Sequence, residues 1–344
     1  MDLDDLRALP KAELHQHLDG SVRPTTAVEL AEAIGMTLTL DEVTARMVGP
    51  ERCTDQAQLL GFFDLPIALL QAAPALERVA DELVGDLAAE GVRYAEIRWA
   101  PRLHLDGGLS VDAVIEAVAT GVTRAVDRLG ADAPLIGLIV TAMRQHPPAA
   151  NAELARVAGA FGTPVIAFDL AGPESVWPAP PHAIAFVTAR EAGLSLTAHA
   201  GEVPGAQRVR EVLDFGVRRV AHGAPAIDDP SLLELLRTRD ITLDLCPTSN
   251  VQAGLFPDIG SHPLAALHRA GVSVTLSTDD RTVSSTSLTE EMARTAKALD
   301  LSPAELAEIA LNAFSRGFAP PALLAPLHEE ARRAWDAWRR GSIS

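Results

Sequence analysis

Eight short apolar runs recur along the 344 residues, each closing on polar or charged side chains. They are KAELHQH (11–17), VRYAEIRW (92–99), PLIGLIVTA (134–142), PVIAFDL (164–170), LSLTAHAGE (194–202), RRVAHG (218–223), ITLDLCPTS (241–249) and VSVTLSTDD (272–280). Most are apolar throughout rather than alternating, which is the pattern of strands buried on both faces of a parallel sheet. Between them, ALERVADELVGDLAAEG (75–91) and AIAFVTAREAG (183–193) repeat apolar residues at helical intervals and end in glycine. Further helices are expected near 287–299, 302–316 and 321–339. Strands alternating with helices in this way predict an α/β fold, a single (β/α)8 TIM barrel domain over 1–344. Extra helices are expected between strands 1 and 2 and at the C-terminus.

The widest interval, about 21–91, holds LLGFFDLPIALL (59–70). Most of that segment reads as a buried helix, with a few residues free to roof a pocket on the active face of the barrel. WPAPP (177–181) falls between runs four and five and reads as a rigid loop before a helix, not as a domain boundary.

Composition narrows the partners. A 48% hydrophobic chain can bury a large core, and with only 4% aromatics Ala, Leu and Val must fill most of it. A net charge of -17 repels polyanions, which argues against nucleic acid and anionic membranes and leaves small neutral or cationic ligands. Two cysteines, Cys53 and Cys246, make neither a disulfide framework nor a CxxC metal motif. The acidic start MDLDDLRALP has no apolar run, and no stretch of ~18 apolar residues suggests a membrane span. A cytoplasmic setting is the expectation; oligomeric state is not legible.

A barrel of this kind builds its active site at the C-terminal ends of its strands. Run one ends in His15, His17 and Asp19, and run four in Asp169 followed by Ala171-Gly172. Run five ends in His199 and Glu202, run six in His222, and run eight in Asp279 and Asp280. His15 and His17 are two apart, so a strand points both to one side. Four of the ten histidines converge with carboxylates on one rim, and burying so many ionisable groups without a shared purpose is costly. The other six, His104, His146, His182, His262, His268 and His328, fall in loops or helices and are expected to be solvated or capping.

Imidazoles with a carboxylate suit Zn²⁺, and the set His15, His17, His199 and Asp279 leaves room for water. Such an ion lowers the pKa of its water towards ~7. Glu202 lies where a proton-transfer group would stand beside the metal, and His222 where a side chain would hold the attacking water. Arg281, directly after the aspartates, is expected near the mouth with its head in solvent.

HxHxDG, DLAG, HAGE, AHG, CPTSN and STDD, in this order from about residue 9 to beyond 310, resemble the adenosine deaminase family of the amidohydrolase superfamily. The resemblance implies one Zn²⁺ per chain held by His15, His17, His199 and Asp279. It implies that Glu202 protonates the purine nitrogen next to the reacting carbon and that His222 orients the water. It further implies that Asp280 pairs with N7, that the Gly172 amide donates to N3, and that Asp19 binds the ribose 5′-hydroxyl, with His17 also bordering the substrate. The implied reaction is hydrolytic deamination of adenosine and 2′-deoxyadenosine to inosine or deoxyinosine and ammonia. The alternatives are adenine, 6-aminodeoxyfutalosine or N6-methyl-AMP as substrate, and, less favoured, a purine-binding barrel without turnover. Two-metal relatives use a carboxylated lysine at strand four. Here that strand ends in Asp169 and the chain has only Lys11 and Lys297, which argues for a mononuclear site.

Overall fold

The apolar runs become strands because each is shielded on both sides. In the computed structural model, which describes residues 2–341, they form β1 (Lys11–His17), β2 (Val92–Trp99), β3 (Leu135–Met143) and β4 (Val165–Ala171). β5 (Ser195–Ala200), β6 (Arg219–His222), β7 (Thr242–Leu245) and β8 (Ser273–Leu276) follow. Consecutive strands pair in parallel in the order of the chain. The ring closes through the residues past β8. Gln16 bridges Asp279, the His17 amide donates to Asp279 O at 2.7 Å, and the Asp279 amide donates to His15 O at 3.0 Å. Closure of the barrel therefore sets three strand-end side chains next to one another.

Helices cover the outside. Ala73–Ala89 and Ala183–Glu191 lie where the spacing places them, and the tail forms Leu288–Ala298, Pro303–Arg316 and Pro321–Gly341. Gly91 turns into β2 at φ +75, where a Cβ would stand 2.7 Å from the Arg7 carbonyl, so no side chain fits. The segment 59–70 departs from the single buried helix expected of it. Gln56–Leu60 and Asp64–Leu69 are short helices joined by a 3-10 turn at Gly61–Phe63, with Pro66 in the first turn of the second. Gly61 and Pro66 favour that break, because a proline needs a helix start where its missing N–H is no loss. WPAPP is a loop that ends in a 3-10 turn, Pro180–His182, leading into the next helix.

The lower barrel is filled by paired charges as well as aliphatics. The Arg219 guanidinium donates to Asp244 Oδ2 at 2.9 Å, pairs with Glu96, and lies 3.8 Å over the Phe318 ring. Thr275 donates to the other Asp244 oxygen at 2.8 Å. Buried charges survive only with partners of this kind. Lys11 also lies low in the barrel, its ammonium donating to the Leu6, Arg7 and Leu9 carbonyls. Among the described residues no helix is long and apolar enough to cross a membrane.

Candidate active site

Parallel strands aim their C-terminal ends at one rim, and all the strand-end residues singled out from the sequence meet there. His15 Nε2 and His17 Nε2 each lie 3.1 Å from His199 Nε2, and 3.3 Å from one another. Asp279 Oδ1 is 2.9 Å from His15 Nε2 and 3.3 Å from His17 Nε2. Four donor atoms thus converge on one point. A cation with bonds of ~2.0–2.1 Å needs ligand atoms roughly 3 Å apart, so the cluster fits a divalent metal.

The far sides of these ligands are fixed. His199 Nδ1 faces Asp169 Oδ2 at 3.0 Å, and Asp169 is held in turn by Arg98 and Thr141, each at 3.2 Å. A carboxylate there keeps the ring proton on Nδ1 and turns the Nε2 lone pair towards the point where the donors converge. Ser249 Oγ donates to Asp279 Oδ2 at 2.7 Å, and Cys246 Sγ lies 3.6 Å from His15 Nδ1. Burial pushes the His15 and His199 pKa values down, which keeps both rings in the neutral form that ligates.

Beside the cluster, two carboxyls have raised pKa values. Burial, reinforced by the charges of Glu174 and Asp279, raises the Glu202 pKa well above the carboxylate range. Glu174 is itself buried and accepts from the Gly201 and Glu202 amides at 2.9 and 2.7 Å, which fixes the HAGE turn. Burial and the neighbouring charges of Asp279 and Asp19 likewise raise Asp280. Asp280 Oδ1 is buried without a hydrogen-bond partner among the described residues. It faces Gly20, where a Cβ would stand 1.9 Å from it.

His222 Nε2 lies 3.6 Å from Glu202 Oε1 and 3.7 Å from Asp279 Oδ2. Both His222 and Asp279 adopt positive φ, 69° and 66°. Non-glycine residues held so are strained, and such strain gathers at functional sites. Asp19 is buried in a 3-10 turn, and Gly172 stands at φ +108 with room for no side chain beside Gln145.

These groups line a cavity of about 390 Å³. Its polar lining includes His17, Asp19, His199, Glu202, Asp279 and Asp280; its apolar lining includes Leu59, Leu60, Phe63, Ile67, Leu103 and Met143. Four of those apolar residues come from the 59–70 segment, so its roofing role is present although its helix is broken.

Several side chains depart from expectation. His104, His182 and His262 are buried, not solvated. His182 sits at a helix N-cap position, but its ring meets Asn151 Nδ2 and the Arg144 carbonyl instead of capping. Arg281 is drawn inward by an ion pair with Glu90 rather than reaching solvent. Sequence reasoning passed over the parts played by Asp169, Ser249 and Asn250, although each stands in a quoted motif, and by Glu174, two residues beyond DLAG. Arg98 was visible as a charge inside an apolar run. Arg144, whose guanidinium donates to the His199 carbonyl at 2.6 Å, and Gln56, which accepts from the Glu174 amide, carried no signal.

Comparison with known proteins agrees with this arrangement. A family model described as Adenosine deaminase matches residues 10–331. A protein described as Adenosine deaminase from Clostridium perfringens (strain 13 / Type A) is 37% identical over 319 residues, covering 91% of this chain and 95% of that protein. The adenine deaminase of Arthrobacter aurescens superimposes with a TM-score of 0.87 at 27% identity, covering 95% of this chain and 99% of that one. The N6-methyl-AMP deaminase of Arabidopsis thaliana does so with a TM-score of 0.85 at 28% identity, covering 98% of each chain. With its eight-stranded barrel and its cluster of metal-binding side chains, the chain belongs to the adenosine deaminase family, in the branch of the amidohydrolase superfamily that deaminates aminopurines.

Proposed function

We propose that this chain binds one Zn²⁺ and hydrolytically deaminates adenosine and 2′-deoxyadenosine. The observation that carries the reading is a buried Glu202, its pKa raised, lining the same cavity as His17, His199 and Asp279 of the four convergent donors. Overall, water adds at C6 of the ring, the bond from C6 to the amino nitrogen breaks, and ammonia leaves. A zinc ion held by His15, His17, His199 and Asp279 would make water nucleophilic near neutral pH.

The chain's own groups do the rest. Glu202, its pKa raised by burial, gives a proton to N1, which makes C6 electrophilic. His222 offers Nε2 to the attacking oxygen. Asp280, its pKa raised by burial and by neighbouring carboxylates, addresses N7, and the Gly172 amide addresses N3. The roof of Leu59, Phe63 and Ile67 covers the base and keeps bulk water out.

The solved neighbours are named for adenine and N6-methyl-AMP, so the shared fold points to the 6-aminopurine and leaves the N9 substituent to the outer end of the cavity. There the lining favours a neutral nucleoside. Asp19 and Asp64 join Glu202, Asp279 and Asp280, and no Lys or Arg stands among the lining residues. A phosphate would meet carboxylates at short range without a cation to bind it. Adenine would leave Asp19 without a partner. The likeness to the adenine deaminase is the observation that favours the free base as a second reading.

Specific activity of zinc-replete protein on adenosine, deoxyadenosine, adenine, aminodeoxyfutalosine, AMP and N6-methyl-AMP tests this. Adenosine and deoxyadenosine should have the highest kcat/KM. Adenine or either nucleotide turned over faster than adenosine would displace the proposal.

A further inference from the structure

We propose that Asn250 and His262 are positioning residues that lock His222 in the tautomer with its proton on Nε2. The direction of the chain is set at its outer end. The main-chain amide of Leu264 faces His262 Nδ1 at 3.2 Å, and an amide N–H can only donate. His262 Nδ1 is therefore the acceptor, and the ring proton lies on Nε2. That nitrogen faces Asn250 Oδ1 at 3.1 Å and donates to it. The Asn250 amide is thereby oriented, and its Nδ2 donates to His222 Nδ1 at 3.1 Å. His222 Nδ1 must accept, which leaves the proton on Nε2.

The reverse direction fails on one contact. It would need a proton on His262 Nδ1, setting two N–H groups against each other at 3.2 Å. A doubly protonated His262 fails for the same reason. Water cannot relieve the conflict, since His222, Asn250 and His262 are exposed by only 1, 1 and 3%. Burial also holds the His262 pKa down to about 3.

The consequence falls on the reaction and rests on the function proposed above. His222 Nε2 is buried, has no partner among the described residues, and faces the space beside Glu202 and Asp279. With its proton fixed there, His222 meets an incoming oxygen as a donor and is not free to take up a proton in the resting enzyme. The relay gives the CPTSN motif and the buried histidine of SHPL a shared purpose that neither has alone.

The test reads the tautomer directly. In intact zinc-loaded protein with nitrogen-15 histidine, long-range proton–nitrogen correlation shows which ring nitrogen carries the proton. The His222 signals are identified by their loss in His222→Gln. The expected result is a proton on Nε2 of both His222 and His262; a proton on Nδ1 of His222 overturns the proposal. Asn250→Asp keeps the shape but replaces the donor by an acceptor. His222 should then carry its proton on Nδ1, and kcat should fall on the order of 10²–10⁴-fold, as for a histidine forced into the wrong tautomer. KM and zinc content should change little. Unchanged kcat, or a fall with the His222 proton unmoved, overturns the positioning role. The spectrum does not depend on which purine is converted. A missing deaminase activity with the expected tautomer therefore counts against the function alone.

Discussion

Glu202 and Gly20 show how single residues set the site. Burial and two nearby carboxylates raise the Glu202 pKa, which favours the neutral form that can donate where an ordinary glutamate would accept. Glu202→Gln preserves shape and the ligand set but removes the transferable proton. It should keep zinc and bind substrate with similar KM, yet lose about 10²–10⁴ in kcat. Near-wild-type turnover would remove Glu202 from proton transfer. Gly20 is required by contact rather than by backbone freedom. A Cβ there would lie 1.9 Å from Asp280 Oδ1 and 2.8 Å from Asp280 Cβ, too close for a side-chain rotation to relieve. Gly20→Ala should push Asp280 from the cavity, at roughly 1–3 kcal/mol of stability for the overpacking. We expect kcat/KM to fall at least a hundredfold with zinc retained, and kinetics within twofold of the parent would show that the contact is tolerated.

At the scale of elements, the roof and the barrel divide the labour. The strands hold the chemistry through main-chain pairing, whereas Gln56–Leu60, Gly61–Phe63 and Asp64–Leu69 contribute Gln56, Leu59, Leu60, Phe63, Asp64 and Ile67 to the cavity lining. Phe63 meets His17 edge to face, with ring centroids 6.5 Å apart, and closes the apolar wall. Phe63→Ala should weaken ground-state and transition-state binding together, raising KM about tenfold or more with kcat largely kept. A drop in kcat at constant KM would instead place Phe63 in the chemical step. The break in this segment was missed because its apolar residues satisfy helical spacing on both sides of it. Gly61 and Pro66 were the available signals.

For the whole molecule, buried neutral histidines tie stability to pH. His262 has its pKa lowered by burial from 6.5 to about 3. A histidine depressed in the folded state binds its proton less tightly there than in the unfolded chain. Its contribution is complete above pH 6.5 and is lost progressively as pH falls towards 3. Between pH 7 and 5 that loss amounts to about 2 kcal/mol for this residue. His262→Gln should therefore be less stable than the parent at pH 7 but lose less between pH 7 and 5, as read from urea midpoints. Parallel slopes for the two proteins would show that His262 does not titrate in that range.

The sequence by itself determined the strand count, the parallel barrel and the membership of the metal cluster. Those follow from local rules: doubly buried strands are apolar throughout, side chains two apart share a face, and parallel strands end on one rim. His15, His17, His199 and Asp279 could be named because they stand at or near the C-terminal ends of three runs. Only the tertiary structure decided which polar groups stand behind them. The Leu264–His262–Asn250 contacts within the β7–β8 connection reach His222 at the end of β6, and Glu174 after β4 pairs with the HAGE turn after β5. Burial of His104, His182 and His262, and the inward turn of Arg281 to Glu90, were decided in the same way. A hydrogen bond between distant loops leaves no periodicity in either one, so its partners are legible only once the closed barrel sets the loops side by side.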